Sequence, residues 1–149
     1  MSSHRLHKAL EQNQAPHIRI IVADSHRPLR TTLTGLIHKL VKGEVVAEVE
    51  TGLEAVESTR RLLPDILLVD VNLPDMSGIE VTRAVASWEE RVKVIVLSTY
   101  RDKRYLSEAL KSGASGFLIK DCVHEELGTA IDTVTHDGTY LSPKMSETD

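Results

Sequence analysis

The chain has 149 residues, 41% of them hydrophobic but only 3% aromatic, and a formal net charge of −4. That length suits one domain with an aliphatic core, and the mild acidity gives no overall electrostatic reason to bind nucleic acid. A single cysteine, Cys122, excludes an intrachain disulfide and fits a reducing compartment. No apolar run approaches the roughly 18 residues of a membrane span, and the N-terminus lacks the apolar segment of a signal peptide, so a cytoplasmic setting is expected.

Residues 1–17, MSSHRLHKALEQNQAPH, are polar and read as a flexible N-terminal arm. His4 and His7 lie three apart, but a solvated arm explains them better than a metal site. From Ile18 onward, short β-rich runs alternate with amphipathic ones. The apolar runs cover 18–23, 44–50, 65–70, 92–98 and 115–120. Between the first two, Leu29, Leu33, Leu36, Ile37 and Leu40 recur at spacings of three and four, which predicts one buried helix face. Residues 52–63, 77–88, 102–112 and 123–136 repeat that theme. Gly43, Gly52, Pro64, Gly113 and Gly138 fall at or beside element ends.

This alternation predicts a doubly wound α/β fold of the flavodoxin-like type. It has a five-stranded parallel sheet of order 2-1-3-4-5 with helices on both faces. Strand 2 alternates most and is expected at an edge. Such sheets bind ligands beyond the carboxyl ends of the strands, at the switch point between strands 1 and 3. IRIIVADSH ends its apolar run at Asp24, and DILLVDVN does the same at Asp70. Each Asp alone could cap a helix or turn a loop. Two on adjacent central strands point instead to a Mg²⁺ site, to a nucleophilic carboxylate that becomes an acyl phosphate, or to both together. Ser98, ending VLS, and Lys120, ending FLIK, are placed by the same topology beside that crevice, one as a hydroxyl donor and one as a fixed cation.

The motifs VADSH, DILLVDVNLPDMSGIE, VIVLST and GASGFLIKD resemble the receiver domain of bacterial two-component response regulators, a CheY-like fold, over about residues 18–141. With TYLSP after the last helix, the likeness is to the NarL/FixJ (LuxR-type) subgroup. The resemblance implies that Asp70 is the phosphoacceptor, receiving a phosphoryl group from a histidine kinase. It implies that Asp24, Asp70 and the Asn72 backbone carbonyl hold Mg²⁺. Ser98 becomes the switch hydroxyl, Phe117 the aromatic whose burial follows it, and Lys120 the partner of the phosphoryl group. Pro74 and Gly78 shape the loop after Asp70. Within this frame residues 18–138 form the receiver and 139–149 begin a linker or tail. A DNA-binding output domain beyond this chain is the expected partner, and a homodimer another. Neither membrane nor direct nucleic-acid binding is expected within these residues.

One position departs from the family pattern. Ser25 stands where a second acid, usually in contact with the metal, is expected. A weakened metal site follows, with Ser25 as a possible neutral ligand in place of the acid. The alternative is a pseudo-receiver that works without phosphate as a protein-interaction module. An enzyme of the haloacid-dehalogenase type is disfavoured, because position 72 is Asn and the acid follows strand 3. A flavin binder is disfavoured because ADSHRPLR has no glycine. Among the remaining residues, Arg101, Lys103 and Arg104 form a candidate contact for a partner. His26, Cys122 and Trp88 take plain structural readings, Trp88 as a surface cap on its helix.

Overall fold

The computed structural model describes residues 17–89 and 91–145. His4, His7 and the rest of the arm before residue 17 lie outside the described residues, as do the last four of the chain. The elements run β1 (Ile18–Ala23), α1 (Arg27–Leu40), β2 (Gly43–Val49), α2 (Gly52–Leu62), β3 (Ile66–Asp70) and α3 (Gly78–Trp88). They continue as β4 (Lys93–Ser98), α4 (Lys103–Lys111), β5 (Gly116–Ile119), α5 (Val123–Thr135) and β6 (Tyr140–Leu141).

All neighbouring strands pair in parallel, in the order β2-β1-β3-β4-β5-β6. The expected order holds, but the sheet has six strands and not five. The sixth is two residues long and lacks any periodicity of its own. It exists because Tyr140 N–H donates to Ser115 O at 3.0 Å and Ser142 N–H to Phe117 O at 2.9 Å. These are tertiary bonds that no local pattern announces.

Successive residues of a strand face opposite sides of the sheet. Ile20, Val22, Leu68 and Leu97 therefore pack under α1 and α5, against Leu33, Ile37 and Ile131. Ile21, Ala23, Val69 and Val96 pack on the other face with Val81 and Val85 of α3, and Phe117 shares that cluster. β3 is buried along its whole length, as a central parallel strand must be. β2 is the half-exposed edge, and its register shifts between Ile20 and Ile21.

Helix starts follow local chemistry. Pro28 sits in the first turn of α1. Thr51, Ser77 and Asp102 cap α2, α3 and α4 with side-chain oxygens. Leu40, assigned by its spacing to the buried face of α1, is 47% exposed, while Leu33 and Ile37 are fully buried. Trp88 is not a bare surface cap. It packs partly buried against the core, with the Arg60 guanidinium 5.1 Å from its ring centre. No helix among the described residues is long and apolar enough to cross a membrane.

Candidate functional site

β1 and β3 are adjacent and parallel, so their last residues open onto the same crevice. Asp24 follows β1 and is fully buried, while Asp70 ends β3 with a side chain only 6% exposed. Lys120, the first residue of a 3₁₀ turn after β5, reaches back across β4 to both. Its Nζ lies 2.9 Å from Asp24 Oδ2 and 2.9 Å from Asp70 Oδ2. The ammonium is the one partner of Asp24 Oδ2 among the described residues. The outer oxygens are held by backbone: His26 N–H donates to Asp24 Oδ1 at 2.7 Å, and Asn72 N–H to Asp70 Oδ1 at 3.1 Å.

Burial raises the Asp70 pKa above its ordinary 3.8, and it outweighs the hydrogen bond from Lys120 that opposes it. Burial works against the charged form of Lys120 too, but there the contacts to Asp24 and Asp70 prevail and its pKa rises above 10.5. The group is thus two acids and one cation that favours staying charged. Asp24 and Asp70, with the Asn72 carbonyl that the resemblance implies, would make an all-oxygen donor set, the kind a hard divalent cation takes. Among the described residues there is no cluster of three acidic, His or Cys side chains able to hold a metal. Ser25 is exposed and brings no charge. The donors fit Mg²⁺ in kind, while Lys120 already satisfies the carboxylate oxygens such an ion would share.

Ser98 ends β4 and is fully buried. Its hydroxyl is turned into the following loop, where Oγ accepts the Tyr100 N–H at 2.9 Å and donates to Tyr100 O at 3.2 Å. Phe117 lies one strand over and is fully buried. Gly78 accounts for the close return of the chain beside the acid. A Cβ there would sit 2.2 Å from the Asp70 carbonyl oxygen. In the cationic stretch at the start of α4, Arg104 in its first turn pairs with the capping Asp102 at 2.8 Å.

Two supporting residues escaped the sequence reading. Arg30 on α1 has a side chain 9% exposed. Its Nη1 donates to the Asp24 carbonyl at 2.7 Å, and it pairs with Glu50 at 3.1 Å and Glu48 at 3.5 Å. The signal was present: Arg30, Leu33 and Ile37 share one helical face, so an arginine stood in a buried row. Asp75, in the loop after β3, accepts the N–H groups of Gly52 at 2.7 Å and Leu53 at 2.9 Å. Nothing in the sequence tied that loop to the start of α2.

Strand-end acids bridged by a lysine, on a parallel sheet of this order, define the CheY-like class of receiver folds. The chain belongs to the response regulator receiver domain family, whose model matches residues 20–132. It is 36% identical to the transcriptional regulatory protein DegU of Brevibacillus brevis, over 91% of this chain and 58% of that protein. It is 32% identical to the oxygen regulatory protein NreC of Staphylococcus carnosus, over 87% of this chain and 60% of that one. A LuxR-family two-component response regulator from Aurantimonas sp. SI85-9A1 superposes with a TM-score of 0.84 at 29% identity, covering 88% of this chain and 94% of that one. The receiver domain of the putative response regulator NarL from Mycobacterium tuberculosis gives 0.77 at 31% identity, covering 80% and 97%. The chain thus spans about three fifths of the length of these curated relatives.

Proposed function

We propose that the chain is a phosphorylation switch whose acceptor is Asp70. The observation that carries this reading is Lys120 Nζ at 2.9 Å from both strand-end acids, with the Asp70 side chain 6% exposed where Asp24 is fully buried. A carboxylate oxygen of Asp70 attacks the phosphorus of a phosphohistidine on a histidine kinase. An O–P bond forms, the N–P bond breaks, and the imidazole leaves with the electron pair. Lys120 offsets charge on the incoming phosphoryl oxygens, at a fixed position that needs no reorganisation. Mg²⁺, when bound, supplies further neutralisation. Asp24, Asp70 and the Asn72 carbonyl would hold it, with Ser25 at most a neutral neighbour, and the site would bind the ion weakly.

Ser98 leaves the Tyr100 backbone to donate to the phosphoryl group, and Phe117 repacks with it. The two-state equilibrium shifts because phosphate makes those contacts in one state only. The receiver begins at residue 18 and takes in β6 and Met145 beyond 138. It works in the cytoplasm as a signalling module and not a turnover enzyme, and controls transcription through a DNA-binding domain of a longer protein. Receivers of this kind often pair, so a homodimer is part of the proposal.

Intact mass after treatment with acetyl phosphate, with and without Mg²⁺, tests the reading. Wild type gains one phosphoryl group and Asp70→Asn gains none. Wild type that stays unlabelled at millimolar Mg²⁺ overturns the acceptor role and leaves the pseudo-receiver, a phosphate-independent interaction module.

A further inference from the structure

After α5 the chain turns back and lies along the outer edge of β5. Three independent holds fix it there. The first is the pair of backbone bonds from Tyr140 to Ser115 and from Ser142 to Phe117, at 3.0 and 2.9 Å. The second is a convergence of hydroxyls: Tyr140 Oη and Ser142 Oγ both donate to Glu126 Oε1 on α5, at 2.8 and 2.7 Å. Hydrogen bonds to a carboxylate are among the stronger ones a neutral donor makes. The third is apolar: Met145, in a 3₁₀ turn over Pro143–Met145, is 2% exposed and shares its cluster with Phe117, Ile119 and Cys122.

Each of these holds lies close in sequence or in packing to the residues of the site. Ser142 hangs on the carbonyl of Phe117 itself. Met145 belongs to the same apolar cluster as Phe117, and both are buried. Lys120 follows β5 by one residue. A close-packed interior has discrete arrangements and does not deform continuously, so a new position for the Phe117 ring requires a new arrangement of what packs with it.

We propose that residues 140–145 are a latch on β5, anchored by Glu126, whose docking is coupled through Phe117 to the state of Asp70. The coupling rests on the phosphoacceptor reading above; the latch contacts themselves do not. The latch fixes where Met145 lies against the domain, so its release changes the point from which any following chain starts. Coupling between two sites is reciprocal at equilibrium. Phosphate on Asp70 therefore loosens the latch by the same factor that a missing latch raises affinity for a phosphate mimic.

Hydrogen exchange read by mass spectrometry tests this on the full chain, before and after acetyl phosphate and Mg²⁺, with the label measured in the same samples. In the phosphorylated fraction, the peptide covering 140–145 should exchange at least about fivefold faster, while the β3 peptide keeps its rate. Phosphorylated protein with unchanged exchange at 140–145 overturns the latch. If Asp70 takes no label, the phosphoacceptor reading falls by itself, and Phe117→Ala then decides the latch. Faster exchange at 140–145 in that variant, with the β3 rate kept, upholds the packing of the latch on Phe117, and an unchanged rate removes it. Glu126→Ala gives a second check that leaves the acids and Lys120 intact. It should free the 140–145 peptide and tighten beryllium fluoride binding by a like factor; a freed peptide with unchanged binding defeats the coupling.

Discussion

With Lys120 Nζ 2.9 Å from both Asp24 and Asp70, the site carries one net negative charge where two bare acids would carry two. Removing that cation strands charge in a buried place. Lys120→Met should therefore destabilise the chain by about 3 kcal/mol near pH 8. The loss should be smaller at acid pH, where Asp70, its pKa already raised by burial, takes up a proton; urea unfolding at both pH values checks it. The signs of the titrations differ from group to group. Asp70 binds its proton more tightly when folded, so its contribution to stability falls as pH rises from 3.8 through its raised value. Asp75, held low by the Gly52 and Leu53 N–H groups, contributes above 3.8 and loses that contribution as pH falls through its depressed value. Lys120 contributes fully below 10.5 and loses it as pH rises through its raised value. The alkaline loss of stability should be larger in wild type than in Lys120→Met, where only groups such as Cys122 and Tyr140, raised by burial, still contribute it. Because the nucleophile is the ionised form, acetyl phosphate labelling should reach half its plateau at a pH above 3.8. Ser25→Asp restores a full charge beside the metal donors. It should tighten Mg²⁺ binding at least about tenfold by calorimetry, and equal affinity in the two proteins would show that Ser25 is no handicap.

At the scale of elements, α2 shows how a helix start is tied into the site. Thr51 Oγ1 accepts the Glu54 N–H at 3.1 Å, and the Glu54 carboxylate takes the Thr51 hydroxyl at 3.0 Å and the Glu50 N–H at 3.3 Å, a reciprocal cap. Asp75 holds the two N–H groups that this cap does not reach. Thr51→Ala should lower the stability to urea by about 1 kcal/mol without moving the loop after Asp70, because Asp75 remains. The helix was legible in its own spacing and its cap residue. Its fastening to the β3–α3 loop was not, because residues 52 and 75 meet only when two crossovers have folded. The same holds for β6, which owes its existence to β5.

Over the whole molecule, stability rests on an aliphatic sheet buried on both faces. Leu68 is fully buried at the centre of one face, between Val22 on β1 and Ile95 on β4 in the same cluster. Leu68→Ala should cost about 2–5 kcal/mol, read from the urea midpoint. A cost below 1 kcal/mol would mean the two-faced core is not packed as described. Both apolar clusters press on strands whose ends carry the acids, so such a cavity should also slow labelling of Asp70.

The near-continuous apolar runs of β1, β3 and β4 and the 3.6-residue period between them were enough to determine the strand order and the ends at which Asp24, Asp70, Ser98 and Lys120 emerge. Strand period and helix period are local properties, and a parallel sheet leaves few ways to arrange them. Only the tertiary structure decided that Lys120 bridges both acids, that Arg30 holds the Asp24 carbonyl from a buried helix face, and that Ser98 turns its hydroxyl to Tyr100. It also decided that residues 140–145 close the β5 edge. These depend on side-chain directions and on contacts between segments far apart in sequence, which residue order constrains only through the packed fold.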